Sequence, residues 1–257
     1  MKKLNCAVIG MGIGEKHYRA MLDSKKCAIK SVFDFDKKKR KNIKKKFKNI
    51  NLVSSENKIY QDNELDLVSI ASYDSFHFRQ IKKAIKKKIN FIVEKPLCST
   101  EKELKQFYKL IKKNKEIKFT SNLVLRYNDL FQNIKKKINK KKIYYIEADY
   151  LWGRKEKLFS WRSKDRNYSF INGAAIHMID LINWFLEKKP LKVFCSGNKK
   201  STISSKFKKD SFIILQLFYA KNLIVKITAN ASCVNEHFHE LKIYESNLNC
   251  KYQKAWK

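Results

Sequence analysis

The chain has 257 residues and a formal charge of +34. That length holds one large domain or two small ones. Hydrophobic residues make up 44% and aromatics 13%, enough for a packed core, which excludes general disorder. No apolar run reaches the ~18–20 residues of a membrane span. The opening MKKLNCAVIG reads as a first strand rather than a signal peptide. The charge invites a nucleic-acid reading, but only 7 of the 58 basic residues are Arg and the other 51 are Lys. Lys, Asn and Ile all have AT-rich codons, so base composition accounts for their abundance. Readers of nucleic acid use Arg forks for bidentate contacts. No specific nucleic-acid partner and no membrane are expected. Cys6, Cys27, Cys98, Cys195, Cys233 and Cys250 are dispersed without a C-x-x-C pair. That spacing points to neither zinc nor a disulfide framework, and it fits a reducing cytoplasm.

The first half alternates strand and helix signals. Residues 4–9 form a short apolar strand, followed by glycines and a helix to about residue 24. Residues 28–33 are a second strand ending in Asp34-Phe35-Asp36. In the run KKKRKNIKKKFKNI, Ile43, Phe47 and Ile50 make one apolar stripe, so the lysines read as the wet face of a helix. Residues 66–71 (DLVSIA) are a buried parallel-type strand. Phe78, Ile81 and Ile85 space a helix, and residues 90–93 make a strand running into Glu94-Lys95-Pro96. Thr100 and Glu103 form a capping-box pattern ahead of the Leu104, Phe107 and Ile111 stripe. Residues 118–123 are one more strand. This alternation predicts an α/β domain, a Rossmann doubly wound parallel sheet over residues 1–122.

The second half changes character. Residues 143–152 are a long strand and residues 174–186 an apolar helix. Residues 193–196, 212–219, 223–231 and 239–244 alternate like antiparallel strands. The expectation is a C-terminal α+β domain over residues 123–257 with an open, mostly antiparallel sheet.

Gly10, Gly12 and Gly14 follow a strand and open a helix, where glycines let the backbone approach a pyrophosphate on the helix N-terminus. The spacing is one residue tighter than G-x-G-x-x-G. Asp34 closes the next strand, where a carboxylate can take the adenosine ribose hydroxyls and repel a 2′-phosphate. That favours NAD, while Lys37 to Arg40 keep NADP as the alternative. Lys95 stands at the carboxyl end of a parallel strand, where open α/β sheets bind ligands, and Pro96 restricts it and allows a cis bond. With 51 Lys in the chain, an ordinary strand-end Lys is the competing reading. His177 and Asp180 share one helix face at i, i+3, a pair able to move a proton near neutral pH. A helix-start His bonded to backbone is the plainer alternative. His77 follows the DLVSIA strand, and a cofactor edge or a structural role suits it equally. His237 and His239 lack a third ligand and read as structural, with no metal expected. His17 reads as packing or polar support.

Together AVIGMGIGEKH, VFDFD, LDLVSIASYDSFH, FIVEKPLCST, SNLVLRYND and GAAIHMIDLINWF resemble, in order, the glucose–fructose oxidoreductase / inositol dehydrogenase (Gfo/Idh/MocA) family. The resemblance implies an NAD(P)-dependent oxidoreductase acting on CH–OH groups of sugars, cyclitols or nucleotide-linked sugars, with a weak pointer to surface-polysaccharide biosynthesis. It implies that Lys95 contacts substrate and nicotinamide and that His177 is the acid/base. Asp180 and Arg126 fall at substrate positions. Gly10, Gly12, Ile13 and Gly14, with Asp34, Ser72, His77 and Glu94, fall at cofactor positions, alongside Lys95. Two departures stand out. Many members carry Asp four residues before the catalytic His, and Gly173 stands here. The chain also stops soon after Tyr244, which implies a trimmed C-terminal sheet; a homo-oligomer through that sheet is the family expectation. A non-catalytic cofactor-binding sensor on the same scaffold is the alternative function. A polyanion-binding protein is a third reading, resting on charge alone.

Overall fold

A computed structural model describes residues 2–234, 236–246 and 248–255, the side chains of 248–251 and 253–255 excepted. The chain divides into two compact units, residues 1–122 and 123–257.

The first unit runs β1 (Leu4–Ile9), α1 (Gly14–Asp23), β2 (Cys27–Phe33), α2 (Lys37–Lys46), α3 (Glu56–Tyr60), β3 (Leu67–Ile70), α4 (Asp74–Lys86), β4 (Asn90–Val93), α5 (Glu101–Lys113) and β5 (Phe119–Ser121). Its five strands lie in the order β2-β1-β3-β4-β5, all parallel. The Val-, Ile- and Ala-rich strands are covered on both faces. One core holds Ile9, Val68, Ile70, Ile81 and Phe91; a second holds Val8, Met21, Val32 and Ile43. The lysine-rich run is a solvated helix. Ile43 is buried, and Phe47 packs edge-on against Tyr18 at 4.9 Å. The α2 N-cap is Asp36, whose carboxylate accepts from Lys38 and Lys39 N–H. Thr100 caps α5 through Glu103 N–H, while the Glu103 carboxylate accepts from Ser99 N–H, one residue earlier than a standard capping box.

The second unit runs α6 (Asp129–Lys137), β6 (Ile143–Leu151), α7 (Trp161–Lys164), α8 (Ile176–Leu186), β7 (Lys192–Asn198), β8 (Phe212–Phe218), β9 (Ile224–Asn230), β10 (Phe238–Glu245) and β11 (Leu248–Ala255). Its six strands are ordered β11-β10-β6-β9-β8-β7. One face packs on α8 through Ile146, Ala148, Leu181, Ile182 and Phe185. The sheet is mostly antiparallel, with one correction: residues 223–231 alternate like an antiparallel strand, yet β9 pairs β6 in parallel. Alternation sets which face a residue occupies and carries no information on strand direction. The sheet also continues past Tyr244 into β11, whose polar sequence LNCKYQKA gave no strand signal.

Candidate functional site

In the first unit, the end of β1 turns through the glycines into α1. Gly10 has φ +87°, and a Cβ there would lie 2.5 Å from the Ala71 carbonyl oxygen. Only glycine fits. Gly14 packs α1 on the sheet, since its Cβ position meets Ala71 Cβ at 3.0 Å and Val8 Cγ1 at 3.2 Å. Gly12 differs from both. A Cβ there would meet nothing nearer than Lys39 Nζ at 3.9 Å, so no contact within the described protein requires glycine. Ile13 beside it is 46% exposed. The loop therefore pairs two structurally forced glycines with one that leaves an open approach to the start of α1.

Asp34 is buried and ties this loop to β2. Its Oδ2 accepts from Met11 N–H at 2.7 Å and its Oδ1 from Asp36 N–H at 2.9 Å. The carboxylate shapes the loop first, and each oxygen keeps lone-pair capacity for a further donor. Arg40 donates to the Asp34 carbonyl at 2.7 Å. Nearby, exposed Phe35 and half-buried Tyr73 and Phe76 form an aromatic group, with Phe35 edge-on to Tyr73 at 4.9 Å and to Phe76 at 5.8 Å. Sequence reasoning passed over this trio, because Phe35 and Tyr73 lie on different strand ends. The only signal was an aromatic just past the carboxyl ends of β2 and β3, the two strands that flank β1.

Ser72 donates its hydroxyl to Gln80 Oε1 at 2.6 Å. His77 is fully buried, its Nδ1 2.7 Å from the Pro96 carbonyl and its Nε2 3.2 Å from the Ser72 carbonyl. Both ring nitrogens thus face backbone, and His77 braces the loops after β3 and β4 rather than presenting an edge. The Lys95–Pro96 peptide is cis. Glu94 is buried and accepts from Asn122 Nδ2 at 2.6 Å; His17 Nε2 lies 2.9 Å from it, and His17 Nδ1 lies 2.7 Å from Ser69 Oγ. Burial pushes the Glu94 carboxyl up, but hydrogen bonds from His17 and Asn122, with the charge of Lys95, hold it below the usual range. His17 is polar support for this network.

In the second unit, Arg126 and Asp180 form a two-pronged ion pair, with Nε to Oδ2 at 2.7 Å and Nη2 to Oδ1 closing the fork. The Asp180 side chain is 12% exposed and the Arg126 side chain 41%, so the carboxylate backs a guanidinium that reaches outward. His177, near the start of α8, is buried and stacks on Tyr150, centroids 5.7 Å apart and planes 5° apart. Tyr150 also meets His237 at 4.8 Å and His239 at 4.8 Å. Pairing of β10 with β6 sets His239 opposite Tyr150. Burial raises the Tyr150 hydroxyl well above its ordinary value, which keeps it neutral. Among the described residues no set of His, Cys, Asp and Glu side chains is placed to hold a metal.

A π-helical turn, Ile171–Ala175, leads into α8. Within it, a Cβ on Gly173 would lie 2.1 Å from the Tyr168 hydroxyl oxygen. The space of a side chain at 173 is filled by the Tyr168 hydroxyl.

Residues 4–122 match the oxidoreductase family with an NAD-binding Rossmann fold, and residues 131–247 match the GFO/IDH/MocA C-terminal domain. The chain belongs to the Gfo/Idh/MocA oxidoreductase family. Among curated relatives, YteT of Bacillus subtilis (strain 168) is 26% identical over 181 residues, 66% of this chain. That match spans only 42% of YteT. The fold is that of myo-inositol 2-dehydrogenase from Lactobacillus plantarum, with a TM-score of 0.89 and 20% identity over 98% of this chain and 76% of that one. Scyllo-inositol dehydrogenase from Lactobacillus casei, solved with NAD(H) and scyllo-inositol, gives 0.85 and 17% over 98% and 76%. At these identities the likeness is one of fold.

Proposed function

We propose that the protein is an NAD-dependent oxidoreductase that oxidises or reduces a CH–OH group of a sugar, a cyclitol or a nucleotide-linked sugar. The observation that carries the reading is Gly12. Gly10 and Gly14 are glycines because the fold leaves no room, whereas Gly12 faces open space at a helix N-terminus, where backbone N–H groups are free for an anion. The residues fit a dinucleotide. Gly12, Ile13 and Gly14 would hold its pyrophosphate and Asp34 its ribose hydroxyls, with Ser72 and Lys95 further along the same sheet edge. His77 and Glu94 act as positioning residues. NAD, when bound, supplies the hydride acceptor or donor.

His177 is assigned the hydroxyl proton. The buried imidazole is held by its stack on Tyr150, which fixes the ring plane while it changes charge. Lys95 is assigned to substrate and nicotinamide in the first unit, where an ammonium stabilises developing negative charge. Arg126, held by Asp180, binds substrate oxygens with its outward guanidinium edge. Exposed Val193 and Phe194 on the edge strand β7, with Leu191 just before it, 56%, 61% and 72% exposed, support self-association through the C-terminal sheet. No helix among the described residues is long and apolar enough to cross a membrane, and a cytoplasmic setting is part of this reading. A role in surface-polysaccharide sugar biosynthesis rests on sequence wording alone.

Calorimetric titration tests the cofactor assignment. NAD should bind tighter than NADP, because the Asp34 carboxylate repels a 2′-phosphate. Gly12→Ala should weaken NAD about tenfold or more while leaving the melting temperature unchanged. Tighter NADP binding shifts the assignment to Lys37 to Arg40. An unaltered NAD affinity in Gly12→Ala removes the reading's main support.

A further inference from the structure

Four of the seven arginines fall in the second unit, and three of them, Arg154, Arg162 and Arg166, crowd into 13 residues. In a chain that uses Lys almost everywhere else, this concentration needs a local reason. Two of these guanidiniums converge on one indole: Arg154 lies 5.7 Å and Arg162 5.6 Å from the Trp152 ring centroid. Arg162 also covers Trp161 at 4.4 Å and donates to the Lys157 carbonyl at 3.3 Å. Lys157 is close enough to feel both charges: partial burial, then Arg154 and Arg162, hold its ammonium below the ordinary value.

Three cations packed this way repel one another and call for a counter-charge. Among the described residues none of Arg154, Lys157 and Arg162 forms an ion pair with a carboxylate. Asp165, the nearest acidic residue in sequence to Arg162, accepts from Asn167 N–H instead. Nor is Arg154 satisfied locally. One Nη approaches His237 Nδ1, but its Nε is buried with no hydrogen-bond partner. A buried, unmatched guanidinium N–H is costly and rare. Two cavities border the same segment. One, of 620 Å³, is lined by Lys155, Phe159 and the Lys- and Ser-rich loop 200–206; the other, of 240 Å³, by Arg162 to Arg166 and residues 207–209.

The cluster is also joined to the proposed acid/base by packing. Arg154 contacts His237, His237 packs on Tyr150, and Tyr150 stacks on His177. We infer that the substrate carries an anionic group, a carboxylate or a phosphate, and that Arg154, Arg162 and Lys157 bind it in the second unit. Two guanidinium forks over an indole suit a planar or tetrahedral oxyanion, which they meet with charge-assisted, directional bonds. The neutral ring then takes its place by His177 because its charged end is fixed first. This rests on the oxidoreductase reading, and it separates the substrate from neutral polyols.

Tryptophan fluorescence reads the site without cofactor, because all four tryptophans lie at or beyond residue 152 and two of them touch these guanidiniums. Glucose, glucuronate and glucose 6-phosphate are titrated into the full chain at low and high salt, with NAD titrated separately. The expected result is binding of glucuronate or glucose 6-phosphate about tenfold or more tighter than glucose, weakened by salt. Which of the two binds tells carboxylate from phosphate. Arg162→Gln and Lys157→Met should each lose most of that preference, with Arg162→Lys intermediate, while melting temperature and NAD affinity stay at wild-type values. Equal binding of neutral and charged probes, no binding of either anion, or a preference that survives both substitutions overturns the inference. If NAD binds normally in such a result, the oxidoreductase reading stands and only the anionic substrate falls. Absence of NAD binding removes the oxidoreductase reading, whatever the anions do.

Discussion

Gly173→Ala places a methyl group where the Tyr168 hydroxyl already sits. The new Cβ would lie 2.1 Å from Tyr168 Oη, 2.6 Å from Cζ and 2.9 Å from Cε2. Reaching an ordinary contact requires the ring to withdraw by ~1 Å. It has little freedom to do so. Tyr168 is 3% exposed, edge-on to Trp161 at 5.7 Å and to Phe207 at 6.0 Å. Overpacking costs ~1–3 kcal/mol, and three contacts under 3 Å on a confined ring put this case at the upper end, ~2–3 kcal/mol. The opposing term is helix propensity, which favours Ala over Gly by ~1 kcal/mol. The clash wins, and a net loss of ~1–2 kcal/mol lowers the melting temperature by roughly 2–8 °C for a chain of this size. The assay is thermal unfolding followed by tryptophan fluorescence, which reports the second unit. In a Tyr168→Leu background, where Oη and Cζ are gone, Gly173→Ala should become neutral or stabilising, so the two changes are coupled. Gly173→Asp should cost more than Gly173→Ala and should not raise activity, because its carboxylate has no room. A Gly173→Ala protein as stable as wild type would refute the claim that Tyr168 holds that space.

Gly10→Ala should destabilise the first unit by well over ~2 kcal/mol, because φ +87° and the Ala71 carbonyl both oppose a side chain; denaturant unfolding followed by circular dichroism checks it. Acid should unfold the protein progressively below about pH 4.5. Glu147 accepts from Lys226 and Lys242, which hold its carboxyl down at about 2. Its contribution is complete above the unfolded value of 4.5 and is lost as pH falls toward about 2. Melting temperatures across that window should fall less steeply for Glu147→Gln than for wild type.

The first unit was largely legible in the sequence because its signals are local. Continuous apolar strands, the glycine turn, the stripe through Ile43 and the Thr100 cap each reside within a few residues. The cis peptide at Lys95–Pro96 was allowed by the Pro and is present. The second unit yielded less. Its site is assembled by strand pairing: His239 meets Tyr150 only because β10 lies beside β6, and no periodicity announces which strands are neighbours. The pair Arg126 and Asp180 is separated by 54 residues. Both residues were legible from family motifs, but their bond to each other was not. Gly173 was visible as a departure; that Tyr168 occupies its place is a fact of packing. Arg154 and Arg162 were hidden by the abundance of Lys, and they stand out only once both are seen over Trp152.

Single-turnover formation of NADH tests the central claim most directly, with wild-type protein and His177→Ala incubated with NAD and a panel of polyols, sugars, uronates and nucleotide sugars. The account predicts that at least one compound reduces NAD with wild type, and that His177→Ala slows that step by roughly 10²–10⁴-fold with NAD affinity nearly unchanged. Tight NAD binding with no reduction by any compound, or a His177→Ala protein that keeps the wild-type rate from pH ~6 to ~9, would contradict it and leave a cofactor-binding sensor as the better description.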